Sequence, residues 1–237
     1  MKRRTILILA FLLTGFLLSG CVGNTARLSA LPVIAEEKAT PAVKDASLQE
    51  LIDKAEDGSE IVIKSGTYSI PEPLRIEGKK QLSIKGEGNV IILGENIDQQ
   101  IFIINECGSI TIEDIRARHK SSRDSDETKV FEKRSGSVVD IENTDKAVFV
   151  NCEFEGCGVY GIYTEDVAEV EITGCYIHHN SWRALGFHAK VCVTNVNIKD
   201  CTITNNTDFI EKSGSVNVNM EGQNVIKFNS SEGYKSR

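Results

Sequence analysis

Four segments of this chain share one pattern, and that pattern limits the fold more than any other feature. They are residues 110–115, 147–152, 170–175 and 196–201. Each sets an apolar residue, an intervening residue and a second apolar residue, then two usually polar residues and Ile or Cys. Two positions later stand Ala117, Phe154, Ile177 and Ile203. The segments start 37, 23 and 26 residues apart, and residues 82–84 read as an earlier copy 28 residues before Ile110. Apolar residues at every second position mark a strand, whose successive side chains face opposite ways. Strands recurring every 20 to 30 residues mark a solenoid. Gly, Asn and Asp punctuate the copies, and no helical pattern intervenes, which argues against a βαβ sheet. One such unit cannot bury its own apolar face, whereas stacked neighbours can. The predicted fold class is therefore all-β, a solenoid.

Residues 60–68, Glu-Ile-Val-Ile-Lys-Ser-Gly-Thr-Tyr, resemble the opening coil of right-handed parallel β-helices of the pectate-lyase-like superfamily. Residues 175–180 and 201–206 resemble their strand-to-turn repeats. The resemblance runs from about Ser47 to Phe228 and implies a pectin-lyase fold. That fold hosts lyases, hydrolases, adhesins and spacers, so it implies no single activity. Ahead of it, Ser47 and Glu50 form a capping box. Leu48, Leu51, Ile52 and Ala55 then fall on one helical face, and Asp57-Gly58 ends the helix. A helix here is expected to cover the first coil. The polar end, residues 228–237, offers no comparable lid, and its polar and charged residues are expected to blunt the last edge.

The N-terminus carries an address. Lys2, Arg3 and Arg4 precede an apolar run over 6–18, then Leu18-Ser19-Gly20-Cys21. The run is shorter than the roughly 20 residues of a spanning helix, and its order matches an export signal. The motif resembles the lipobox of bacterial lipoproteins. The resemblance implies cleavage before Cys21, palmitate-type lipid on that residue, and an extracytoplasmic protein anchored to a membrane by that lipid, with the outer membrane and the cell surface both open. The expected organisation is a signal peptide over 1–20, a lipidated Cys and flexible tether over 21–45, and a β-helix domain over 46–237. The formal charge of −7 becomes −10 without the three signal cations. That balance disfavours nucleic acid as a partner and charge-driven docking on anionic lipid. The membrane, through the lipid, and a polysaccharide or envelope protein are the expected partners.

Six cysteines follow Cys21. Cys152, Cys175 and Cys201 share the repeat's last column, so stacked coils would place them about 4.8 Å apart. Parallel Cβ vectors suit a disulfide poorly, and no CxxC pair points to zinc. A ladder of buried thiols is expected. The states of Cys107, Cys157 and Cys192 stay open. Asn180 and Asn206 share a turn column and are read as a structural ladder.

Candidate ligand-binding residues are Tyr163, Tyr176, His178, Trp182, Arg183 and His188. Aromatic, Arg and His side chains on one solenoid face suit sugars, with rings to stack and polar groups to orient. His178 and His179 should point to opposite faces of a strand, which disfavours one shared metal unless a turn begins at His179. No metal site and no cofactor are expected. Glu165 and Asp166 read as a solvated turn. The insertion over 120–136 is mixed in charge and lacks aromatics other than Phe131. No paired aspartates, Gly-x-Ser-x-Gly elbow, HExxH or phosphate loop occurs. The expectation is a non-catalytic module binding glycan or another envelope component. The alternatives are a polysaccharide lyase or glycoside hydrolase, using His178, Arg183 and His188 with Glu155 as acid, and a structural spacer.

Overall fold

The computed structural model describes residues 43, 44, 46–120, 136–156 and 159–228. The signal, Cys21 and most of the tether lie outside them, as do Cys157, most of the insertion and the last nine residues. No helix among the described residues is long and apolar enough to cross a membrane.

The chain winds into a parallel β-solenoid of about six turns. Every strand pairing among the described residues is parallel, and one hydrogen-bonded ladder wraps three faces. Inward residues stack in rows. On the first face Ile84, Ile112, Phe149, Ile172 and Ile198 pair in register. On the second, Ile92, Ala117, Phe154, Ile177 and Ile203 do so. On the third, Leu74, Phe102, Val139, Ile162 and Leu185 do so. These rows form one buried core. Apolar area buried between coils, at about 25 cal/mol per Å², is what holds them together.

Each corner of the coil has its own column of left-handed residues. Between the first and second faces stand Asp114, Asn151, Gly174 and Asp200, with φ of 55°, 52°, 64° and 53°. Between the second and third stand Gly156, His179 and Asn205, at 49°, 57° and 57°. Between the third and the next first face stand Gly78, Glu106, Asn143 and Asp166, at 64°, 53°, 48° and 53°. Gly, Asn and Asp visit this region most readily, which is why these types punctuate the repeat. At Gly174 a second constraint applies, because a Cβ would meet Asn151 Oδ1 at 2.5 Å.

The Cys column follows the first corner inward. Cys152, Cys175 and Cys201 are buried and free. Their thiols donate to carbonyls one coil back: Ile112 O at 3.4 Å, Phe149 O at 3.6 Å and Ile172 O at 3.4 Å. A small side chain with a weak donor fits this place. Contact with neighbouring thiols, together with burial, pushes Cys175 and Cys201 well above the usual thiol range.

The helix Ala46–Lys54 covers the first coil. Leu48 and Ile52 are buried, but Leu51 is 47% exposed, contrary to its predicted place on the packed face. Leu48 and Ile52, with Ala55 just past the helix, are the residues that pack on the core. Gln49 closes the backbone edge: its Oε1 accepts from Arg75 N at 2.9 Å and its Nε2 donates to Arg75 O at 3.0 Å. Val43–Lys44, expected within the flexible tether, is instead a strand pairing with Tyr68 and Ser69. At the other end Val216, Val218 and Ile226 are only partly buried, and Met220 and Val225 are 42% exposed.

Candidate functional site

Outward side chains of the third face form two rows across the coils. One runs Arg75, Ile103, Asp140, Tyr163, Gly186, Glu211, and the other Glu77, Asn105, Glu142, Glu165, His188, Ser213. Four of the six predicted ligand-binding residues gather here, around an acid that the repeat pattern had not singled out. Glu211 Oε2 accepts from Tyr160 Oη at 2.9 Å and Trp182 Nε1 at 3.4 Å, and it pairs with Arg183 Nη1. His188 Nε2 lies 3.4 Å from Glu211 Oε1, near enough for attraction but out of line for a hydrogen bond. Arg183 also pairs with Asp208 at 3.1 Å, and its guanidinium lies over the Trp182 ring at 4.8 Å. Tyr163 Oη lies 3.2 Å from Glu165 Oε2 and 3.3 Å from His188 Nδ1.

Two tyrosine rings lie over bare backbone. Tyr160 and Tyr163 stand 5.3 Å apart, tilted by 39°. A Cβ at Gly186 would meet Tyr160 Cε1 at 2.8 Å and Tyr163 Cδ2 at 3.0 Å. Glycine therefore gives the rings room to settle on the sheet. Tyr160 and Glu211 are 51 residues apart, and coil stacking alone unites them.

The charges on this face are tuned in opposite directions. Burial would raise Glu211, but hydrogen bonds from Tyr160 and Trp182, with the Arg183 charge and the nearby His188 ring, hold it below the usual carboxylate value. Burial and then Glu211 push Tyr160 up to about 12. Burial raises Asp140, partly offset by a hydrogen bond from Gln100 at 3.1 Å. The hydrogen bond from Lys190 lowers Glu165. Glu165 is thus part of the face, contrary to its reading as a solvated turn. Asp166 turns the corner instead, accepting from the backbone N–H groups of Lys190 and Val191 at 2.7 and 2.8 Å. A cleft of about 280 Å³ adjoins Asp140 and Glu142, with Arg75, Glu77 and Gln100 on its walls.

Tyr176 and His178 belong to another group, on the second face. His178, a candidate for an open binding face, is only 3% exposed. Tyr176 stacks on its ring at 3.8 Å, and Glu153 Oε1 lies 3.2 Å from its Nε2. The left-handed turn at His179 also reverses the expected divergence of the pair. His178 Nδ1 and His179 Nδ1 lie 2.6 Å apart. Asn180 and Asn206 form the expected ladder, with Asn206 Oδ1 accepting from Asn180 N at 3.0 Å and Asn180 Nδ2 at 2.9 Å.

The chain matches the family described as "Right handed beta helix region" over residues 57–231, and it belongs to that family. No curated protein matches it. Among solved structures, it is similar to ORF18 of Geobacillus virus E2, with a TM-score of 0.57 and 15% identity over 77% of this chain. The match spans 37% of the viral protein. It is also similar to a Parabacteroides merdae protein titled a "putative glycosyl hydrolase", with a TM-score of 0.55 and 14% identity. That match covers 81% of this chain and 92% of the other. At such identities the likeness concerns the fold.

Proposed function

We propose that this protein is a lipid-anchored β-helix of the cell envelope whose third face binds a glycan. The observation that carries the proposal is the convergence of Tyr160, Trp182, Arg183 and His188 on Glu211, beside the Tyr163 ring. Rings can cover a sugar's apolar face while held polar groups select its hydroxyls. Because the network is already assembled, little ordering is needed on binding. The parallel rows suit an extended ligand lying across coils. Cys21 would supply the anchor, as the lipobox resemblance implies, and labelled palmitate recovered on the wild-type chain but not on Cys21→Ser tests it.

The binding test uses the purified full chain in detergent and a panel of neutral and uronic-acid polysaccharides. Trp182 is the only tryptophan, so its fluorescence reports on the site. A saturable change is expected, weakened about tenfold or more by Tyr163→Ala and by Glu211→Gln. Unchanged fluorescence and no retention on any glycan would sink the proposal.

A second reading, glycoside hydrolysis, is favoured by one observation. Asp140 and Glu165 stand at diagonal positions on adjacent strands, with Asp140 raised and Glu165 lowered. Carboxyls pushed apart in this way suit a general acid and a general base. New reducing ends, lost in Asp140→Asn, would support this reading over simple binding. The label of the Parabacteroides neighbour points the same way.

A further inference from the structure

We infer that Glu155, His178 and His179 form a site for one divalent transition-metal ion of the zinc class, at the corner between the second and third faces. Each offers a ligand atom, and these atoms all lie within 4.8 Å of one another. Two imidazoles and one carboxylate make a donor set of the kind that leaves zinc an open coordination position.

The surroundings support ligation beyond mere proximity. Glu153 Oε1 lies 3.2 Å from His178 Nε2, and Arg116 Nε holds the other oxygen of Glu153 at 3.1 Å. A carboxylate accepting from Nε2–H leaves the Nδ1 lone pair of His178 directed at the site. Metal-bound histidines characteristically have such a partner, which fixes the tautomer and raises ligand basicity. Tyr176 stacks on the same ring and fixes its plane. His178 and Glu155 are buried and His179 is exposed, so the site has rigid walls and a side open to solvent. In the tautomer whose Nε2 proton faces Glu153, His178 Nδ1 accepts a hydrogen bond from His179 Nδ1–H across 2.6 Å. A metal ion would take the place of that proton, releasing it to water. Two nitrogens at about 2.0–2.1 Å from a tetrahedral zinc stand roughly 3.4 Å apart, an opening of ~0.8 Å that rotation of the exposed His179 ring can supply.

The residues owe this meeting to the left-handed corner. His179 shares its column with Gly156 and Asn205, types that adopt such a φ more readily. Histidine here turns back over His178 where a strand residue would point away.

The test titrates the full chain, stripped with EDTA, with ZnCl₂ by calorimetry and with CoCl₂ by visible absorption. One equivalent should bind, with the bands of a low-symmetry N/O-ligated cobalt. His179→Asn, which keeps a residue tolerant of the left-handed turn, should weaken zinc at least tenfold while leaving the EDTA-treated Tm unchanged. Glu153→Gln should weaken it by about 10–100-fold, and His188→Asn on the other face should not matter. Affinity should fall as pH drops, because the ligands must shed protons. No stoichiometric binding overturns the inference. So does binding that survives both His179→Asn and Glu155→Gln, or a sulfur-to-cobalt charge-transfer band, which would place the ion on a cysteine.

Discussion

Glu211 is the residue on which the third face depends. Its folded-state carboxyl lies below the usual 4.5, the net result of burial opposed by Tyr160, Trp182, Arg183 and His188. A depressed carboxylate contributes stability that is present above its unfolded value and lost as pH falls through the folded one. Trp182 fluorescence should therefore change in a transition below pH 4.5, and Glu211→Gln should show no such step. Asp140 has the opposite sign. Burial raises it, and its Oδ1 has no hydrogen-bond partner. Its native form keeps a proton that the unfolded form sheds, so stability falls as pH rises from the ordinary 3.8 through the raised folded value. Asp140→Asn should raise stability at pH 7, because the neutral amide does not carry the burial penalty of the carboxylate. The gain should vanish at pH 3, as thermal melts at the two pH values would reveal. Neither residue was legible in the sequence as a site. The repeat is anchored on the Cys column, and that column says nothing of the third-face register. Aligning Phe102, Val139, Ile162, Leu185 and Ile210 places Glu211 in the Tyr163 row, but those residues sit in coils of unequal length. The burial of His178 is hidden for a related reason. Strand alternation gives its direction, but Tyr176 and Glu153 determine its cover.

At the scale of elements, the turns carry the specificity and the strands supply the area. Asn206 shows how. Besides accepting from Asn180, its Nδ2 donates to Ile177 O at 3.0 Å and Thr204 O at 3.1 Å. Asn206→Ala would leave several buried polar groups of two coils unpaired. A cost of about 2–3 kcal/mol is expected, seen as a Tm lower by roughly 4–10 °C. A drop under 1 °C would show that water replaces the ladder. This element was legible because Asn at a fixed offset from the repeat Cys has a specific turn chemistry. The lid helix was legible in place and only partly in face: it begins at Ala46, one residue ahead of the expected Ser47 cap, and it buries Leu48 and Ile52 while leaving Leu51 exposed.

Across the whole solenoid, each coil touches only its neighbours, so stability is graded along the axis. The first coil has the helix, Gln49 and a pairing strand. Among the described residues, the last coil has inward side chains that remain partly exposed. Hydrogen exchange should therefore be fastest over Asp208–Glu221 and slowest in the middle coils, whose opening needs several interfaces to break. Uniform protection along the axis would mean that the terminal coil gains cover from residues outside those described.

The left-handed columns have a consequence for how such a chain can change over generations. A corner residue is always followed by the same inward position: Asn151 by Cys152, Gly174 by Cys175, Asp200 by Cys201. Cutting the chain after one corner and rejoining it after the next restores both backbone geometry and side-chain phase. Removal of residues 175–200, for instance, would join Gly174 to Cys201 with no seam in the core. Loss of a single residue from a strand would instead turn every later inward side chain outward until the next corner. Lengths in this molecule can thus be inherited in whole windings, with each winding adding or deleting one line of an outward-facing text.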